Sequence, residues 1–271
     1  TVLWNEFSDN LRKKFSNEIS GIQKAGEVTG QQITHSGYFT RSPQIATNGD
    51  IYYLENNFQT EPRLMVLKNG EAQTTVVADV RGSSFDLHPT AGIVGTEINA
   101  VQNTNYFLDL YRIDLISQEK TQLTHGQRYL NATWSPDGKE IIAVHNQLGQ
   151  HALHLLDNHG NKVDTLWQGS NNTVISSIDW SPDGNSLVMA VWRPDTLWNL
   201  ERFEIQTRQW TRLTHGTEIE NRPRYNHDGS SIVFSTDYEG VFNIYPWTLE
   251  NNKLDTLSNV IGDANSPTIH N

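Results

Sequence analysis

The sequence predicts an all-β chain folded as a β-propeller, and three observations carry that expectation. A five-residue turn motif recurs along most of the chain, its recurrences are almost evenly spaced, and each interval holds about four short β-rich runs. The fullest copy is Trp134-Ser135-Pro136-Asp137-Gly138, repeated as Trp180-Ser181-Pro182-Asp183-Gly184 and, more weakly, as Tyr225-Asn226-His227-Asp228-Gly229. Earlier the same slot reads Ile45-Ala46-Thr47-Asn48-Gly49 and, with one extra residue, Leu87-His88-Pro89-Thr90-Ala91-Gly92. The slot begins at 45, 87, 134, 180 and 225, with gaps of 42, 47, 46 and 45. A second marker agrees, because Leu123-Thr124-His125-Gly126 returns as Leu213-Thr214-His215-Gly216 two periods of 45 later.

The elements follow in chain order. Trp4, Phe7, Leu11, Phe15, Ile19 and Ile22 step by three and four residues, so they share one face of an amphipathic helix that stops near Gly26. Residues 1–27 are therefore expected to be a helix and linker from a preceding domain, with the apolar face buried against the propeller or that domain. Residues 28–271 carry the propeller grammar: five complete repeats plus a partial sixth. Within a repeat, Ser-Pro-Asp-Gly turns the chain between the first two strands, since Pro presets φ, Asp bonds its own backbone and Gly leaves the turn. Second strands follow at Ile141-Ile142-Ala143-Val144, at 187–191 and at 232–235, and third strands at 108–113 and 242–245. A fourth is expected at 209–214.

At the ends the pattern is incomplete. Ser266-Pro267-Thr268-Ile269 matches Arg222-Pro223-Arg224-Tyr225 and Ser42-Pro43-Gln44-Ile45, so a sixth blade opens before the chain stops. Gln31-Gln32-Ile33-Thr34-His35 resembles a blade's fourth strand, which makes 28–35 the candidate closing strand. The expected outcome is an open five-blade arc with partial strands at its ends, or a ring completed by residues outside this sequence. The open arc would leave an unclosed sheet edge through which another chain could associate. The chain opens on Thr1, and the expectation is a leader or domain upstream of it.

Composition narrows the function classes. The formal net charge is −11 with no Lys/Arg-dense stripe, which disfavours nucleic acid as a partner. No run approaches a membrane span. The absence of cysteine excludes disulfides, thiolate zinc sites and Cys nucleophiles, and fits an oxidising compartment.

The Trp-Ser-Pro-Asp-Gly turns, the Leu110-Tyr111-Arg112-Ile113-Asp114 third strand and the Leu-Thr-His-Gly blade endings resemble the propeller repeats of TolB and its relatives, over about 29–271. That resemblance implies a periplasmic or otherwise extracytoplasmic location in a bacterium, and a funnel that holds protein segments of partners. The α/β domain that precedes the propeller in TolB has no counterpart here. The helix leading into Gly37-Tyr38-Phe39-Thr40-Arg41-Ser42-Pro43 also looks like proteins in which a metallopeptidase-like domain precedes TolB-like blades. On that reading the catalytic part lies outside these residues.

No catalytic constellation emerges. There is no His-Glu-x-x-His, no Gly-x-Ser-x-Gly elbow, no phosphate-cradling loop and no dinucleotide fingerprint. His151 and His154 sit in a strand-like run where residues three apart point to opposite faces, so they are read as unrelated surface or edge histidines rather than metal ligands. Asp137, Asp183 and Asp228 are explained by turn chemistry, and Trp134 and Trp180 by packing between blades. No metal or cofactor is called for. The binding candidates are the loops running from a fourth strand to the next first strand, which gather at one mouth of the channel. They hold His35, Tyr38, Arg41, Arg81, His125, Arg128, Tyr129, His215, Glu218, Glu220 and Arg222, a polar and aromatic set suited to a peptide or protein segment. His125 and His215 equally suit a repeated structural turn. The expected function is a non-catalytic binding module. The alternatives are an accessory domain of a larger hydrolase, metallopeptidase-like or prolyl-oligopeptidase-like, and a structural spacer.

Overall fold

The computed structural model describes residues 2–269 except 29, 36–38, 58, 102–104, 170–171 and 239. After helix α1 (Val2–Ala25), the chain forms five four-stranded antiparallel sheets, each built from consecutive strands. Blade 1 comprises β1 (Phe39–Ile45), β2 (Ile51–Asn57), β3 (Thr60–Leu67) and β4 (Thr74–Asp79). Blade 2 comprises β5 (Phe85–His88), β6 (Gly92–Val101), β7 (Asn105–Ile113) and β8 (Lys120–Gln122). Blade 3 comprises β9 (Tyr129–Trp134), β10 (Glu140–Gln147), β11 (Gln150–Asp157) and β12 (Lys162–Gln168). Blade 4 comprises β13 (Val174–Trp180), β14 (Ser186–Arg193), β15 (Leu197–Glu204) and β16 (Trp210–Arg212). Blade 5 comprises β17 (Glu220–Tyr225), β18 (Ser231–Thr236), β19 (Asn243–Thr248) and β20 (Lys253–Leu254). The first strand of each blade is innermost.

The repeated turn does what its residues demand. Ser135 Oγ donates to Asp137 Oδ1 (2.8 Å), which also accepts from Lys139 N (3.2 Å), while Gly138 N donates to Ser135 O (2.9 Å). Gly138 sits at φ 69°, and a Cβ there would lie 2.7 Å from the His88 ring, so glycine is required on both counts. The Ser181–Asp183 turn repeats this bonding.

Apolar clusters cement successive blades. Tyr52, Leu54, Leu64 and Val66 of blade 1 pack on Phe85, Ile93 and Tyr111 of blade 2. Val94 and Leu110 meet Tyr129, Trp134 and Ile141 between blades 2 and 3. Ile142, Val144 and Leu153 meet Trp180, Leu187 and Met189 between blades 3 and 4. Val188, Ala190 and Leu200 meet Ile232, Phe234 and Trp247 between blades 4 and 5. Trp134 and Trp180 are thus blade-to-blade packing residues. Among the described residues no such cluster joins blade 5 back to blade 1.

The seam between those two blades departs from the expected partial strands. Residues 30–35 and 265–269 form no strand. The N-terminal segment makes a single antiparallel bridge, Val28 to Asn259, because Asn259 extends the outer edge of blade 5 where β19 is already paired. Ser266 nevertheless has φ 59°, like Ser42 (54°) and Arg222 (52°), the other two residues before proline at the same repeat position. Segment 265–269 therefore takes the inner-strand position without a second strand to pair with.

The helix also differs from expectation. Trp4, Phe7 and Phe15 are 68%, 54% and 52% exposed, so this part of the apolar face is not buried against the described residues. Gly26 ends the helix at φ 91°, and Asn259 Nδ2 ties that end to blade 5 through Gly26 O (2.9 Å) and Ile22 O (3.3 Å). His151 and His154 are buried rather than surface residues, because β11 is sandwiched inside the ring. His151 Nδ1 accepts from Ile175 N (2.9 Å), and His154 Nδ1 lies 3.1 Å from the Tyr129 hydroxyl.

Candidate functional site

The channel is plugged by one polar side chain from each inner strand. Gln44, Asp86, Thr133, Asp179 and Arg224 each precede the repeated slot by one residue. Arg224 Nη1 donates to Asp179 Oδ1 (2.6 Å) and Asp86 Oδ1 (3.0 Å). Asp86 Oδ2 accepts from Thr133 Oγ1 (3.0 Å) and Trp134 N (2.9 Å), and Gln44 Nε2 donates to Phe85 O (3.0 Å). Asp179 Oδ2 accepts from Tyr225 N (2.8 Å). Burial opposes the Arg224 charge, but Asp179 and Asp86 outweigh it and raise its pKa. Burial, and then the neighbouring Asp86, push Asp179 up to about 6 against the pull of Arg224. This cluster ties all five inner strands together, and it holds no nucleophile beside a base.

Two residues along the strand from the plug, three residues before each of the five slots and before Ile269 of the partial sixth repeat, stand Ser42, Ser84, Asn131, Ser177, Arg222 and Ser266. Ser84, Asn131, Ser177 and Arg222 line a shallow hollow of about 310 Å³ with Ser83, Leu130, Trp198 and Asn221, and all six line a narrower throat beneath it. Arg222 N donates to Ser177 Oγ (3.2 Å) and Arg222 Nη1 to Ser42 Oγ (2.9 Å), so the one charge in the ring is held by hydroxyls. Burial, with Arg41 and Arg224 close by, lowers the Arg222 pKa. Beside this mouth the open seam forms a cavity of about 800 Å³, whose walls include Phe39, Arg41, Tyr53, Arg222 and Phe242.

Among the described residues, the structure brings two of the expected binding residues to one cavity, Arg41 and Arg222. Arg41 Nη2 donates to Gly82 O (2.8 Å). Arg81 is on the rim and pairs with Glu61 (3.1 Å). Arg128 lies over the Phe107 ring at 4.2 Å. Tyr129 is corrected from a mouth residue to a core residue: it is buried, and burial followed by the Asp109 charge pushes its hydroxyl up to about 12. Glu220 is likewise buried, pushed up to about 7 by burial, and its carboxylate accepts from Leu200 N (3.1 Å) and the Thr214 hydroxyl. Glu218 accepts from Thr217 N (2.8 Å). His35, His125 and His215 are exposed and separate, and Tyr38 lies outside the described residues.

The Leu-Thr-His-Gly marker is structural. Thr124 Oγ1 accepts from Leu110 N (2.8 Å) and donates to Asp109 (2.9 Å), whose carboxylate also accepts from Gly126 N and Gln127 N. Ser258 repeats the arrangement with Ile244 N (2.9 Å) and Asn243 (2.9 Å). Each knot pins the crossing from a fourth strand to the next blade.

No family model matches the chain. An uncharacterized protein of Agrobacterium fabrum is 26% identical over 133 residues, 46% of this chain and 41% of that protein. TolB from Acinetobacter baumannii superposes with a TM-score of 0.69 at 17% identity, covering 88% of this chain and 59% of TolB. A puromycin-hydrolyzing peptidase of Mycobacterium tuberculosis superposes with a TM-score of 0.56 at 19% identity, covering 81% of this chain and 39% of the peptidase. The chain thus spans less than two thirds of the length of each of these proteins. By fold it is a TolB-like propeller of five blades with an N-terminal helix. Among the described residues no helix is long and apolar enough to cross a membrane.

Proposed function

We propose that this chain is a non-catalytic propeller module that takes an extended peptide or protein segment at the mouth of its channel, in the periplasm or another extracytoplasmic compartment. The observation that carries this reading is the mouth ring of Ser42, Ser84, Asn131, Ser177, Arg222 and Ser266 above a sealed plug. An extended peptide presents both N–H and C=O groups, and hydroxyl and amide side chains satisfy either. The plug stops a ligand from threading through and gives the mouth a floor. A second reading, an accessory domain of a larger hydrolase, is favoured by the likeness to the peptidase, of which the chain matches only 39%.

The test is selection of displayed random peptides on the chain, followed by affinity measurement on Asn131→Trp, which fills the mouth. Selected peptides should lose at least tenfold in affinity on that variant. Undiminished binding, or amide protection confined to the outer strands in hydrogen exchange, would place the ligand elsewhere and end this reading.

A further inference from the structure

The seam cavity between blades 5 and 1 is lined by two guanidinium groups with which, among the described residues, no carboxylate forms an ion pair. Arg224, two residues further along β17, is paired with Asp86 and Asp179. Arg41 and Arg222, by contrast, make no ion pair among the described residues. Arg41 bonds a carbonyl, Gly82 O, and Arg222 bonds a hydroxyl, Ser42 Oγ. The one acid on the cavity wall, Asp263, is turned to Phe242 N (3.3 Å). In a chain of net charge −11, two adjacent uncompensated cations on a cavity wall are a local exception. The two groups are near enough for Arg41 to lower the Arg222 pKa, after burial. Holding like charges together in a partly desolvated place costs free energy that an anion would recover.

Arg222 sits at a bulge in the pairing of β17 with β18 between Asn221 and Arg224, with the φ of 52° that its repeat position shares with Ser42 and Ser266, and its guanidinium reaches across the seam to Ser42 Oγ. The wall also carries Ile33, Phe39, Tyr53 and Phe242 among polar residues such as Thr40 and Asn265, and the Phe39 ring lies beside Arg41, 6.0 Å from its guanidinium carbon. At about 800 Å³ the space lies within the range of ordinary small-ligand pockets.

We infer that the seam cavity is a carboxylate site: Arg41 and Arg222 together hold a carboxylate whose adjoining apolar or aromatic group lies against Phe39, Tyr53 and Phe242. A planar guanidinium matches a carboxylate with paired N–H donors, and two of them make a fork that a lone lysine would not. The inference deepens the proposed function by naming the chemistry of one end of the bound segment, and it rests on that reading only for the carboxylate being part of a peptide. The carboxylate could come from a free chain terminus or from a Glu or Asp side chain beside an apolar residue.

The test separates these points. 3-Phenylpropanoate and 3-phenylpropanamide are titrated into the chain and followed by amide chemical shifts, with Arg41→Gln and Arg222→Gln in parallel and thermal unfolding as a check on folding. The acid should bind at least tenfold tighter than the amide, shift amides around 39–41 and 221–222, and weaken at least tenfold in either variant. Equal binding of acid and amide, no saturation of the acid at tens of millimolar, or unchanged acid affinity in both variants overturns the inference. If one variant fails to fold, the other decides.

Three acetylated pentapeptides then distinguish the source: one ending in free-acid Phe, its C-terminal amide, and an amidated peptide with Glu beside Phe. Tight binding by the first alone assigns a chain terminus; tight binding by the third as well assigns any carboxylate. Peptides that bind the mouth regardless of carboxylate would retain the proposed function and overturn the inference. Acid-specific binding of 3-phenylpropanoate without any peptide binding would do the reverse.

Discussion

Replacing Asp179 by Asn tests the channel plug through the pH dependence of stability. Asp179 ionises near 6 in the folded protein, because burial and the neighbouring Asp86 outweigh the Arg224 guanidinium, whereas an unfolded Asp ionises near its ordinary value of 3.8. Between those two values the folded state holds a proton that the unfolded state has lost, so the contribution of this group to stability falls as pH rises. It is fully present below about pH 4 and gone above about pH 6. The difference corresponds to about 3 kcal/mol at one and a third kcal/mol per pH unit. Asn keeps the shape and cannot titrate. Glu220, raised to about 7 by burial, contributes a decline of the same sign over a higher window. It and the exposed carboxylates cancel when the variant is compared with the natural chain at each pH. Urea unfolding at half-unit steps from pH 4 to 7.5 is the assay. The natural-minus-variant stability should drop by about 2 kcal/mol across that range, with most of the change between pH 4 and 6. A flat or rising difference would show that Asp179 is ionised throughout, and the reasoning about its burial would then be wrong.

Three further outcomes follow from the packing and the site. Trp180→Ala should cost about 3 to 5 kcal/mol because it empties the contact between blades 3 and 4, whereas Asp183→Ala should cost about 1 kcal/mol, the scale of a turn bond; equal small effects in denaturant unfolding would refute the packing role. Thr124→Val removes the hydroxyl that joins Leu110 N to Asp109 inside the protein, so a loss of about 1 to 3 kcal/mol is expected, and an unchanged midpoint would refute the knot. Purified chain should show no peptidase or esterase turnover; turnover that disappears on mutating a residue between 1 and 271 would overturn the non-catalytic reading.

The blades were legible because each depends on local chemistry. Pro136 and Gly138 impose a turn, Asp137 bonds its own backbone, and β-rich runs on either side have few alternatives to pairing with each other. Repetition of that unit then forces neighbouring sheets to stack. The ends were harder for the same reason. Gln31-Gln32-Ile33-Thr34-His35 has the composition of a strand, but a strand exists only where an edge is free to receive it, and Asn259 offers one bridge to Val28 and no ladder. The helix face of Trp4, Phe7 and Phe15 is likewise a true amphipathic pattern whose partner is not among the described elements.

The site is less legible because the polarity of a loop does not show whether its side chains face the mouth. That criterion selects His125 and His215, whose neighbours Thr124 and Thr214 carry the bonding. It also selects Tyr129 and Glu220, which face inward. A better signal was already present in the repeat period. Counting back one residue from each slot gives Gln44, Asp86, Thr133, Asp179 and Arg224, and two carboxylates with one arginine at equivalent places in a ring must meet near its axis. Counting back three gives Ser42, Ser84, Asn131, Ser177, Arg222 and Ser266, one layer higher. In a propeller, equivalent positions are equidistant from one axis, so a register that is polar in every blade marks the channel. The residue that breaks the register marks where it is specialised. At the upper layer that residue is Arg222, which stands beside Arg41 at the only seam where two blades are not sealed by an apolar cluster among the described residues.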